Sequence, residues 1–306
     1  MDVSLNDLLC RIGKDPADCI AEVEQEYRKK LRAVAERLLA DHKKVVLLAG
    51  PSGSGKTTTA AMLAELLSSA GHPAAVVSLD DFYRNPEEED YPRTPDGDLD
   101  FEAVDALAVG EIHDCIDAVL GGREFLLPRF DFQRGRRAEE RVPLSLPENG
   151  TLILEGLHAL NPRLSAGVAN EGLFRLFISV STNILDADGS RILSGRRVRF
   201  LRRVIRDHQH RNADAARTYE LWLDVVAGEE KHLYPFRDTA DCQIDTFHAY
   251  EVGVLRVFAE PLLAAANAPK NAYVAGILQA LAYFSPIPRA AVPSTSLLSE
   301  FIPAEG

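Results

Sequence analysis

Hydrophobic positions along the chain switch between two spacings. Over residues 17–41 they recur at helical intervals, with Ile20, Val23, Tyr27, Leu31, Val34 and Leu38 on one side. From Val45 to Ala49 the pattern becomes an unbroken apolar run, VVLLA, as expected of a short strand buried on both faces. Helical spacing returns in residues 58–69 through Met62, Leu63, Leu66 and Leu67. Further runs predict strands at 74–79 (AAVVSL), 151–154 (TLIL), 173–180 (LFRLFISV) and 242–245. Helices are expected over 101–120, 196–211, 214–232, 249–267 and 271–284. Residues 85–100 are acidic and rich in turn formers, so they form a long loop, and 123–141 reads as a loop or short hairpin. Strands alternating with helices predict an α/β fold: a parallel sheet with helices on both faces.

The stretch joining the first strand to its helix carries the strongest chemistry. Gly50-Pro51-Ser52-Gly53-Ser54-Gly55-Lys56-Thr57 fits G-x-x-x-x-G-K-S/T and lies between strand and helix, the context this phosphate loop requires. The fold class is therefore a P-loop NTPase-type sheet. Glycines allow successive backbone N–H groups to point at phosphate oxygens, and the helix N-terminus adds partial positive charge. Gly50, Ser52, Gly53, Ser54, Gly55, Lys56, Thr57 and Thr58 are the expected nucleotide contacts. Lys56 is expected at the β/γ-phosphates and Thr57 at Mg²⁺, with ATP as the nucleotide.

Ligands of an open parallel sheet sit beyond the carboxyl ends of its strands. Asp80, Asp81 and Glu155 fall there. Phosphoryl transfer needs a metal ion and a carboxylate that accepts the proton of the attacking hydroxyl. Glu155 is placed to hold Mg²⁺ or its waters, and Asp80 to face the acceptor. Arg199, Arg202, Arg203 and Arg206 recur at spacings of three and four, so they share one helix face. Such a face is either a solvated surface or a lid over the triphosphate, stabilising transferred charge and excluding water.

Bulk composition narrows the setting. The chain has 306 residues, a net charge of −12, and 46% hydrophobic and 26% charged residues. The acidic balance argues against nucleic-acid binding. No apolar run approaches the ~20 residues of a membrane span. Cys10, Cys19, Cys115 and Cys242 are scattered, which suits reduced thiols in a cytoplasmic protein.

Taken together, the motifs resemble the uridine kinase / phosphoribulokinase superfamily, and within it a bacterial uridine kinase-like branch. They are GPSGSGKTT, SLDDFYR (78–84), PRFDF (128–132), ILEGLHALNP (153–162), RFLRRVIRDHQHR (199–211) and GEEKHLYPF (228–236). PSTSLLSEFIP (293–303) extends the likeness almost to the end. The resemblance implies three parts: a helical extension over 1–43, a kinase domain over 44–250 with an arginine-rich lid, and a helical C-terminal extension over 251–306 packing on that domain. It implies Asp80 as base toward a sugar 5′-hydroxyl near Mg²⁺, and Glu155 as the metal-associated acid. Asp100 and Arg199 would bind ribose, and Arg202 and Arg206 would contact phosphates. Phe130 and Asp131 would line the acceptor pocket. The implied reaction is transfer of the ATP γ-phosphoryl to a small-molecule acceptor, a nucleoside above all.

The chain departs from the family at two positions. Phe130 and Gly135 stand where uridine and cytidine kinases carry a tyrosine and a histidine that read the pyrimidine. Losing such polar groups removes discrimination for the base. Arginines at 129, 134, 136 and 137 would suit an anionic acceptor instead, such as a sugar phosphate, pantothenate or glycerate. A non-catalytic ATP-binding switch acting through the N-terminal helix is the alternative outside enzymology. The helix at 17–41 and the helical C-terminus could each form a homo-oligomer contact or cover the sheet.

Overall fold

The computed structural model describes residues 1–265 and 271–304. The chain opens with β1 (Asp2–Ser4), α1 (Leu5–Lys14) and α2 (Pro16–Ala40). The break between the two helices is written in Asp15-Pro16: Asp15 caps α2 by accepting from the Ala17 N–H at 2.9 Å, and Pro16 takes the first turn, where no N–H is needed. β1 and α1 have no counterpart in the sequence expectation, although Leu5, Leu8 and Ile12 recur at helical spacing and are buried.

The central sheet follows. β2 (Val45–Ala49) is fully buried and leads through the glycine loop into α3 (Lys56–Ser69), then β3 (Ala74–Ser78). The helix expected over 101–120 is shorter: α4 spans Val109–Leu120. The residues before it instead bond to the segment after β3, with the Ala108 N–H donating to the Phe82 carbonyl at 2.9 Å. That pairing leaves only a one-turn 3₁₀ segment at Val104–Ala106. The stretch read as a loop or hairpin holds two short antiparallel pairs, β4 (Phe125–Leu127) with β7 (Val142–Leu144), and β5 (Phe130–Asp131) with β6 (Arg136–Arg137).

β8 (Thr151–Glu155) and β9 (Leu173–Ser179) return to the sheet. A hairpin of β10 (Asn183–Leu185) and β11 (Arg191–Leu193), absent from the sequence expectation, adds β1 in parallel to β10. α5 (Gly195–Arg211) and α6 (Ala215–His232) precede β12 (Cys242–Asp245), and α7 (Glu251–Ala265) and α8 (Ala272–Leu281) follow. The last two positions of the helix expected over 249–267, and the final two residues of the chain, lie outside the described residues. The five-stranded sheet runs β12-β9-β2-β8-β3, all parallel. β2 is central, so its carboxyl end and the loop after it occupy the middle of the site edge.

The terminal segments are built into this body. The apolar side of α2 faces α3: Leu31 and Leu38 are fully buried, and Tyr27 shares a 2.6 Å hydrogen bond with Thr59 of α3. α2 thus packs on the chain itself. α7 contributes Tyr250's neighbours Val252, Val254 and Leu255 to the same core.

A polar knot lies beneath them. The Tyr250 hydroxyl donates to the Glu24 carboxylate, and His248 Nδ1 donates to the Thr246 carbonyl at 3.0 Å. Burial, reinforced by the Arg202 guanidinium, pushes the pKa of His248 down from 6.5 to about 3. The unfolded chain therefore takes up this proton first, and stability is lost as pH falls below 6.5. Relative to a His248→Gln chain, the parent is expected to lose about 1.6 kcal/mol more between pH 6.5 and 5. Urea midpoints at the two pH values check this, and parallel pH profiles would contradict it.

Candidate active site

The phosphate loop is held from behind by α5. Gly53 has φ +73°, and a Cβ there would come within 2.8 Å of the Arg199 carbonyl oxygen, so only glycine fits so close to that helix. Arg199 donates to the Ser52 carbonyl at 2.8 Å and forks onto both oxygens of Glu229 at 2.8 and 2.9 Å. Glu229 in turn accepts the Ser52 N–H at 2.8 Å. Arg202 donates to the Gly53 carbonyl at 3.1 Å and the Thr246 carbonyl at 2.8 Å, and forks onto Glu251 at 2.8 and 3.0 Å. Guanidinium groups thus pin two loop carbonyls on the helix side, and Glu229 pins the Ser52 N–H.

This placement corrects the expectation for two arginines. Arg199 and Arg202 are 1% and 0% exposed and lie beneath the loop, with their Nη groups and Arg202 Nε engaged by carboxylates and backbone. Neither is part of the wall of the cavity at the sheet edge. Spacing of three and four puts arginines on one helix face but does not set the depth at which that face lies. Here the helix also carries Val198, Phe200, Leu201 and Val204 into the core, and drags the arginine face partly inside with it. Ser52 lies in the wall of the cavity at the sheet edge, with its N–H bound by Glu229 and its hydroxyl accepting from Arg203 at 2.9 Å. The Ser54 hydroxyl is buried and has no partner among the described residues.

A cavity of about 300 Å³ opens at the carboxyl edge of the sheet. Lys56, Thr57, Asp80, Glu155 and Arg206 meet in its wall, as do Gly53 and Gly55. Among the wall residues that the sequence reading did not assign to the site, three are charged and close to the acids and the loop: Arg203, Glu102 and Glu300. Arg203 was visible in the arginine run, and Glu102 two positions from Asp100, whereas Glu300 arrives from the far end of the chain and had no local signal.

The acids are tuned by burial and by each other. Burial raises the pKa of Glu155, with Lys56 opposing and Asp80 adding to the rise. Asp80 opens onto the cavity but is crowded by protein on its other sides. That crowding raises its pKa, Lys56 lowers it, and Asp81 raises it again. Thr57 Oγ1 donates to Glu155 Oε1 at 3.3 Å, so hydroxyl and carboxylate share one spot. Oxygen-only donors with surplus negative charge fit Mg²⁺, which keeps waters and draws remaining ligands from substrate phosphates. Among the described residues, no group of three His, Cys, Asp or Glu side chains is placed to cage a metal unaided.

On the acceptor side the structure assigns different work to several residues. Asp81 accepts from Arg129 at 3.2 Å and from the Phe130 N–H at 3.4 Å, which ties the β5 hairpin to the end of β3. Asp131 accepts the Gln133 and Arg134 N–H groups at 3.0 Å, closing the hairpin turn; it is not part of the cavity wall. Asp100 accepts the Glu102 N–H at 3.1 Å and lies 3.9 Å from Lys231, so it orients the neighbouring cavity acid. The Phe130 ring stacks 5.6 Å from Tyr83, which does line the cavity, and 5.0 Å from Phe132. Gly135 sits in the turn between β5 and β6 with φ +65°, a backbone conformation that a histidine would adopt only under strain.

Among the described residues no helix is long and apolar enough to cross a membrane. The sequence model of the phosphoribulokinase / uridine kinase family matches residues 45–252. A uridine kinase of Halobacterium salinarum is 28% identical over 195 residues, which cover 63% of this chain and 76% of that protein. A uridine kinase of Schizosaccharomyces pombe is 29% identical over 185 residues, 58% of this chain and 35% of that protein. Among solved structures, D-glycerate 3-kinase from Cryptococcus neoformans superposes with a TM-score of 0.45 at 15% identity, covering 71% of this chain and 90% of that one. The family match runs from the first residue of β2 to the start of α7 and takes in the phosphate loop, Asp80, Glu155 and the arginine helix, and the chain belongs to the phosphoribulokinase / uridine kinase family of kinases.

Proposed function

We propose that the chain transfers the γ-phosphoryl group of ATP to a primary hydroxyl of a small molecule, with the 5′-hydroxyl of a nucleoside as the leading acceptor. The observation that carries this reading is the convergence of Lys56, Thr57, Asp80, Glu155 and Arg206 on one cavity at the sheet edge. Lys56 and the loop amides hold the β/γ-phosphates. Mg²⁺ bound at Thr57 and Glu155 would neutralise phosphate charge. Asp80 takes the hydroxyl proton, and Arg206 faces the transferred charge while the buried arginines keep the loop in shape. The named relatives support a nucleoside, and Tyr83 beside Phe130 offers an aromatic wall for a planar base.

A second reading, with an anionic non-nucleoside acceptor, draws on the missing tyrosine and histidine. Its basic residues are largely occupied, however: Arg129 by Asp81, Arg134 by Asp131 and Arg137 by Glu111. The deciding experiment is ADP release from Mg²⁺-ATP with uridine, cytidine, purine nucleosides, ribose, ribulose 5-phosphate, pantothenate and glycerate. Stimulation by a nucleoside is the expected result. Stimulation by an acid or sugar phosphate alone would replace the acceptor, and ATP binding with silence throughout would favour the switch.

A further inference from the structure

The C-terminal segment crosses the phosphate loop. Ser296 anchors it through a 3.1 Å hydrogen bond with the Tyr250 hydroxyl. Leu297 is fully buried against Gly55, where an added Cβ would come within 2.7 Å of its Cδ1. Phe301 lies under the Arg202 guanidinium at 5.2 Å, and its carbonyl accepts from the Gln209 side chain at 3.3 Å. Between these anchors, Glu300 points at the first turn of α3. Its Oε2 accepts from the Thr58 N–H at 3.3 Å and the Thr58 hydroxyl at 2.7 Å, and its Oε1 lies 3.8 Å from Arg206 Nη1.

The donors that Glu300 occupies belong to the phosphate cradle. N–H groups at the loop and helix start are the groups that hold nucleotide phosphates. One N–H and one hydroxyl cannot serve a carboxylate and a phosphate oxygen together, and two anions at that spot repel. Arg206, the cavity arginine nearest Glu300, is drawn toward the same carboxylate. We propose that Glu300 is an internal anionic occupant of the nucleotide site, which ATP must displace and whose departure frees Thr58 and Arg206 together. The inference rests on the ATP-binding reading above. It makes the C-terminal segment a gate on nucleotide affinity: only the fraction of molecules with Glu300 withdrawn can bind, and apparent affinity falls by that fraction.

The test is calorimetric titration of the full chain with ATP and with ADP, in the parent and in Glu300→Ala and Glu300→Gln. Glu300 is 18% exposed at its side chain, and neither variant removes a core contact. Both are expected to bind nucleotide at least about tenfold more tightly, equivalent to about 1.4 kcal/mol. The gain should be absent in a parallel titration with adenosine, which has no phosphate group to compete with Glu300. Unchanged or weaker binding by both variants overturns the inference and leaves the kinase reading standing, as does an equal gain for adenosine. Absence of nucleotide binding by parent and variants alike overturns the kinase reading and the inference with it.

Discussion

Asp80→Asn is expected to lower turnover by about 10²–10⁴-fold while leaving the fold intact. The side chain opens onto the cavity, and its own N–H is held separately by the Ser78 hydroxyl at 3.3 Å, so the amide replacement disturbs little packing. What it removes is the capacity to take the acceptor's proton. The pH profile supplies an independent check. Asp80 must be ionised to act as base, and burial raises its pKa, with Lys56 opposing and Asp81 adding to the rise. Activity is therefore expected to fall on acidification at a pH above the ordinary aspartate range, and the residual activity of the variant should lack that acid limb. Initial rates of ADP release with the acceptor identified by the substrate panel measure both. Turnover within a few-fold of the parent would remove Asp80 from the role of base.

Arg202→Ala is expected to destabilise the fold by about 3–5 kcal/mol, because it strands a carboxylate in the interior. Glu251 is 0% exposed and accepts both prongs of the Arg202 fork, and Gly53 and Thr246 would each lose a donor to their carbonyls. The paired replacement Arg202→Met with Glu251→Leu is expected to recover most of the loss, since burying two charges is itself costly. Recovered stability should not restore nucleotide affinity, because the Gly53 carbonyl is then no longer pinned. Urea denaturation of the two variants reads the first effect and ATP titration the second. A single variant within 1 kcal/mol of the parent, far below the cost of an orphaned buried charge, would show that the pair holds nothing in place.

Much of this arrangement is local and hence legible in the residues. The glycine loop and its lysine are contiguous, and strand and helix patterns on either side locate them on the sheet edge without further information. Strand-end acids are also local: Glu155 is the last residue of β8, Asp80 lies two residues past β3, and both line the cavity. Short elements such as β1, β10 and β11 were not legible, because three-residue strands exist only through partners far along the chain: Val3 pairs with Ile184. The start of α4 was misread because backbone pairing with the segment after β3 outweighed a helical pattern over 101–108.

Sequence alone determined the fold class, the phosphate loop and the acids at the carboxyl edge beside β3 and β8, since period, spacing and order suffice for each. Tertiary structure alone decided the fate of the charges. Arginines at helical spacing share a face, yet burial split them: Arg199 and Arg202 went beneath the loop with Glu229 and Glu251, and Arg203 and Arg206 went to the cavity. It also brought Glu300 to Thr58 across 242 residues of chain. The reason is that a charge's role depends on its depth and its partner, and both are set by packing between distant segments rather than by neighbours in sequence.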